Sequence, residues 1–112
     1  MLKNDEKRSV FRFNDFDLFD VENGRVKVAI DDSRNPYFDM ARYLGITLDK
    51  ETKLTLIAYL EPYNNDMNQM ELIAYVEKDG IQEQIHVQLP DIDVKYIFDE
   101  CQAIIKMANI HI

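Results

Sequence analysis

Two alternating runs, residues 69–76 and 81–89, flank a Lys78-Asp79-Gly80 turn, and this arrangement constrains the fold more than any other feature of the chain. An Asp-Gly pair supplies the positive φ angles of a type I′ turn, whose twist matches that of antiparallel strands, so it fixes the register on both sides. Val76 then faces Glu83, Tyr75 faces Gln84, Ala74 faces Ile85, Ile73 faces His86, Leu72 faces Val87, Glu71 faces Gln88 and Met70 faces Leu89. Side chains alternate between the two faces of a strand. Met70, Leu72, Ala74, Ile85, Val87 and Leu89 therefore share a core face. The other face carries Glu71, Ile73, Tyr75, Gln82, Gln84, His86 and Gln88, a polar stripe with one aliphatic and one aromatic residue set into it.

Upstream, Asn23-Gly24 predicts a second tight hairpin in which Glu22 faces Arg25, Val21 faces Val26, Asp20 faces Lys27 and Phe19 faces Val28. That register buries Phe19, Val21, Val26, Val28 and Ile30. It also places the ion pairs Glu22–Arg25 and Asp20–Lys27 on the opposite face, each worth a few tenths of a kcal/mol. The apolar phase slips between Phe16, Leu18 and Phe19, Val21, which reads as a bulge near Leu18 or a strand that starts there. Asn35-Pro36 as N-cap and first helical residue, with Gly45 as terminator, predicts a helix over residues 36–44. Residues 53–60 alternate Leu54, Leu56, Ala58 and Leu60 against Thr55, Ile57 and Tyr59, the pattern of a central strand, and residues 61–68 form a loop. Pro90 ends the last strand, and Asp91 and Asp93 offer caps for a final helix. The apolar stripe of that helix is Val94, Ile97, Phe98, Cys101, Ile104, Ile105 and Ala108. The order β-β-α-β-β-β-α predicts an α+β fold with an antiparallel sheet of about five strands and two helices on one face. A flexible segment at residues 1–10 precedes one domain at residues 11–112.

The chain has 112 residues, enough for one core. Its net charge of −8 sets it against phosphate backbones and anionic membrane surfaces, so neither nucleic acid nor membrane is expected as a direct partner. A single cysteine forbids an intrachain disulfide and suits a reducing cytoplasm. No signal-like segment and no run of roughly 20 apolar residues is present, so the protein reads as cytoplasmic. Recurrent Asn, Ile, Lys and Asp suggest an AT-rich bacterial or phage genome.

Motifs that carry chemistry are scarce. All three glycines have turn or helix-end roles, which leaves none for a phosphate-cradling loop. Ser9 and Ser33 lie in terminal and turn contexts, Cys101 lies on an apolar helical stripe, and the two histidines, His86 and His111, lack zinc-ligand spacing. Asp15 with Asp17, and Asp91 with Asp93, lack the spacing of a calcium loop. No cofactor or metal is expected.

The leading reading is a non-catalytic module that binds a protein partner or a second copy of itself through the outer face of the sheet. Ile57, Tyr59, Ile73 and Tyr75 would form an apolar patch there, flanked by Gln84, His86 and Gln88. In a competing arrangement the phenylalanines of residues 11–16 fold over this patch. A second class is an acidic inhibitor or immunity-type protein, a DNA mimic among its forms, that blocks a basic nuclease or defence enzyme with the unpaired acids Asp15, Asp17, Asp31 and Asp32. Mimicry would call for carboxylates regularly spaced along a face, and the sequence shows no such regularity. The third is a small enzyme with His86 as general base, although no group is seen to orient the imidazole.

Overall fold

Asp79 (φ 56°) and Gly80 (φ 79°) both take positive φ and close a two-residue turn between the paired residues Lys78 and Ile81. The hairpin register is the one read from the sequence, from Val76 opposite Glu83 to Ile73 opposite His86. The Val87 N–H donates to the Leu72 carbonyl at 3.0 Å and carries the ladder one residue further.

The computed structural model describes residues 11–13, 16–20, 24–30, 45 and 51–109. The elements are β1 (Phe11–Phe13), β2 (Phe16–Asp20), β3 (Val26–Ile30), β4 (Thr52–Leu60), β5 (Glu71–Lys78), β6 (Ile81–His86) and α1 (Asp91–Ala108), with a 3-10 turn at Met67–Gln69 between β4 and β5. The six strands form one antiparallel sheet in chain order, with α1 packed on one face. The α+β class stands, and the sheet has one strand more than the five expected. Among the described residues α1 is the one α-helix. The expected helix at 36–44, the segment 1–10, Ser9, Ser33 and His111 lie outside them.

The core is built by alternation on the strands and by helical spacing on α1. Phe16, Leu18, Val26, Val28, Ile30, Leu56, Ala58, Leu60 and Leu72 meet Ile97, Phe98, Cys101, Ile104 and Ile105, with Leu89 closing one end. Val94 and Ala108 pack against this cluster, so every residue of the stripe read from the sequence takes part. Tyr96, outside that stripe, sets its ring edge-on to Phe16 at 6.4 Å. Pro90 occupies the N-cap of α1 without a side-chain bond. Asp91 and Asp93 lie in the first turn instead of capping it, where the helix dipole favours their charge. The Gln102 amide donates to the Asn64 carbonyl at 2.7 Å and ties the β4–β5 loop to the helix. Gln69 belongs to that loop's 3-10 turn and not to a strand, because the Asp66 carboxylate accepts the Asn68 N–H and caps the turn.

The first hairpin departs from its expected register. Phe19 lies opposite Lys27 and Asp20 opposite Val26, one residue away from the pairing a two-residue Asn23-Gly24 loop requires. A one-residue slip turns every side chain to the other face. Phe16 and Leu18 consequently enter the core, and Phe19 lies half-buried on the opposite face with the Lys27 ammonium 5.4 Å above its ring. The strand runs through Leu18 without a bulge and begins at Phe16. Both expected ion pairs lose their register: Lys27 faces Phe19, and Arg25 reaches Glu71 on β5 at 3.1 Å. Val21 and Glu22 lie outside the described residues.

The phenylalanine-rich N-terminal segment does not cross the outer face. Phe11–Phe13 pairs with β2 as the far edge of the sheet, with β2 and β3 between it and β4, and Phe16 faces α1. No helix among the described residues is long and apolar enough to cross a membrane.

Cys101 is fully enclosed, and burial pushes its thiol up, away from the reactive thiolate. A thiol reagent is therefore expected to leave the native protein unmodified and to react at the rate of unfolding. Modification at the speed of a free thiol under native conditions would show that the helix–sheet seam opens locally.

Candidate functional site

The outer face is a grid set by strand register. One row across the sheet reads Asp17, Ala29, Ile57, Ile73, His86; the next reads Phe19, Lys27, Tyr59, Glu71; a third, on the other side, reads Thr55, Tyr75, Gln84. Ile57 and Ile73 are direct cross-strand partners on a face that α1 does not reach, yet they are only 8% and 9% exposed. Tyr59 and Tyr75 stand in the rows on either side of them, and their hydroxyls meet at 2.8 Å. The phenol bridge therefore spans the isoleucine row diagonally. The patch expected at Ile57, Tyr59, Ile73 and Tyr75 is assembled, with the isoleucines beneath the bridge and the tyrosines half-buried above them.

Charged groups brace this bridge. The Arg25 guanidinium lies 5.1 Å over the Tyr59 ring and donates to one oxygen of Glu71. The other Glu71 oxygen is 3.5 Å from the His86 Nδ1 atom. Glu71 is thus the acidic neighbour of the imidazole that the sequence did not reveal, because the contact is diagonal and not a register pair. His86 keeps 75% of its side chain exposed and shares that carboxylate with Arg25. Gln84 and Gln88 are exposed along the same edge.

Beside the bridge the face holds a recess of about 500 Å³ lined by Lys27, Thr55, Ile57, Tyr59, Tyr75 and Gln82. Lys27 was not anticipated there. Alternation along β3 puts Lys27 on the face opposite Val26 and Val28, and the β3–β4 register sets it opposite Tyr59.

Of the acidic set, Asp17 is held by Arg12 at 2.8 Å and is not an unpaired acid, while Asp15, Asp31 and Asp32 lie outside the described residues. Asp91 and Asp93 sit on a helix and not on a strand. Among the described residues no three His, Cys, Asp or Glu side chains converge as a metal-binding group.

Burial, and then the hydrogen bond with Tyr75, push Tyr59 up to about 12 from an ordinary 10.0, with Arg25 opposing. A phenol whose pKa is raised by folding stabilises the native state fully below pH 10.0, and that contribution is lost as pH climbs through about 12. Phenolate absorbance is expected to contain a late step from Tyr59, and Tyr59→Phe to remove that step. If Tyr59→Phe removed amplitude at the ordinary phenol step near 10.0 and none from a late step, the bridge would not persist in solution.

Comparison of the chain with protein-family models, curated proteins and solved structures returned no match.

Proposed function

We propose that the chain is a non-catalytic protein-binding module whose outer sheet face receives an apolar or aromatic side chain of a protein partner. The carrying observation is the recess of about 500 Å³, whose lining combines Ile57 and the phenol rings of Tyr59 and Tyr75 with the polar Thr55, Gln82 and Lys27. An apolar floor with a polar rim is the composition of an interface centre, and tyrosines provide contact area at low entropic cost. Exposed Gln84 and His86 on β6, with exposed Gln88 just past its end, extend the polar surface beyond the recess, a wider footprint than a small molecule needs. A non-catalytic role fits the state of His86, whose ring is largely solvated and whose acidic neighbour is engaged by Arg25.

Photo-crosslinking in the native host tests this reading. A photoreactive residue at Thr55 or Gln82 is expected to trap one and the same protein, and one at Lys95 on the far side of α1 to trap none of it. Adducts at Lys95 equal to those at Thr55, or none at either outer-face position, would overturn the reading.

A further inference from the structure

We infer that the outer edge of β6, the last strand of the sheet among the described residues, is a self-association site, at which a second copy of this chain adds its own β6 antiparallel and continues the sheet. The hydrogen-bond phase of the strand carries the inference. The Val87 N–H donates to Leu72, so Leu72 and Val87 form a hydrogen-bonded pair in the β5–β6 register. Such pairs alternate along an antiparallel ladder, so Ile81, Glu83 and Ile85 point their backbone groups toward β5, and Gln82, Gln84 and His86 point theirs outward. The strand is the last in the sheet, and all its residues but Ile85 are exposed.

Edge strands are ordinarily protected by proline, lysine or a bulge. Ile81–His86 has no proline, lysine or bulge and a single charge, Glu83: its sequence is Ile-Gln-Glu-Gln-Ile-His, and it pairs with β5 without interruption.

The occupant follows from self-complementarity. A two-fold axis through Gln84 sets Gln84 against the partner's Gln84 and Gln82 against the partner's His86, and each of these is a hydrogen-bonded pair made from outward groups. The same register pairs residues 82–86 of the two copies with one another and sets Glu83 against the partner's Ile85. It also brings Ile81, which is 68% exposed, beside the partner's Val87. Shifting the axis by one residue to Glu83 would instead oppose two carboxylates at the closest side-chain spacing of the ladder. Edge pairing of this kind does not depend on the recess being a docking site.

Sedimentation velocity over a rising concentration series tests the site. The native chain is expected to move from monomer mass to twice that mass. Gln84→Pro removes the outward N–H at the two-fold centre without touching the β5 ladder, and proline is tolerated at such an edge position. Gln84→Lys opposes like charges across the axis. Both variants are expected to stay monomeric throughout, with far-ultraviolet circular dichroism unchanged. Thr55→Arg, which fills the recess, is expected to dimerise as the native chain does. A native chain that stays monomeric at every concentration, a Gln84→Pro or Gln84→Lys variant that still doubles its mass, or a Thr55→Arg variant that loses dimerisation would each overturn the inference. The last outcome would move self-association to the outer face.

Discussion

Phe16→Ala is expected to lower the unfolding free energy by about 3–5 kcal/mol in urea titrations, and Phe19→Ala by about 1 kcal/mol or less. Phe16 is 1% exposed and touches both layers of the core, facing Ile30 across the sheet and Tyr96 on the helix. Its removal leaves a cavity lined by residues that secondary structure holds in place, so little collapse can offset the loss. Phe19 lies on the other face, and the main interaction lost with its ring is the contact with the Lys27 ammonium. A domain of this size is typically stable by about 5–15 kcal/mol, so the first change approaches unfolding and the second does not. Equal or reversed costs would restore the register of a two-residue Asn23-Gly24 loop, in which Phe19 is the core residue.

That pair of residues shows where sequence reasoning succeeds and where it fails. At Asp79-Gly80 the turn chemistry and the apolar alternation agree, so the register was legible from the turn to His86, where β6 ends short of the expected Leu89, and Ile85 is half-buried outside the core cluster. At Asn23-Gly24 they conflict: the turn signal asks for Phe19 and Val21 inside, whereas Phe16 and Leu18 carry the opposite phase. Burial of two large side chains against α1 outweighs the preference of one dipeptide, and the connection lengthens to residues 21–25. The α1 stripe was legible because helical periodicity alone places it, and Tyr96 was missed because it flanks the stripe.

The outer face was legible as a set of residues and not as an arrangement. Alternation put Ile57 and Ile73 in one patch, and the β4–β5 register makes them direct partners. Tyrosine and arginine side chains reach past direct neighbours. The Tyr59–Tyr75 hydroxyl contact and the Arg25–Glu71 pair both cross rows, the second between residues 46 apart in sequence. A patch of four apolar and aromatic residues thereby becomes an isoleucine pair, 8% and 9% exposed, beside a recess whose lining includes both phenol rings.

Ile57→Ala and Ile73→Ala are each expected to cost about 2–5 kcal/mol, values typical of a core and not of a sheet surface. The two side chains are direct partners under one roof, so the double variant is expected to depart from additivity by more than about 0.5 kcal/mol. Urea titration of the four-member cycle measures both quantities. The late tyrosine step should move toward ordinary phenol behaviour in either single variant, because a roof without its floor hydrates and the burial that raises Tyr59 is its largest cause. If the isoleucines formed the exposed centre of an interface instead, each substitution would change stability by no more than about 0.5 kcal/mol, as surface changes do. That result would return Ile57 and Ile73 to the docking surface and leave the recess without its base. With the core-like cost, the isoleucines shape the site from beneath, and the contacts that select a partner fall to Tyr59, Tyr75, Thr55 and Gln82.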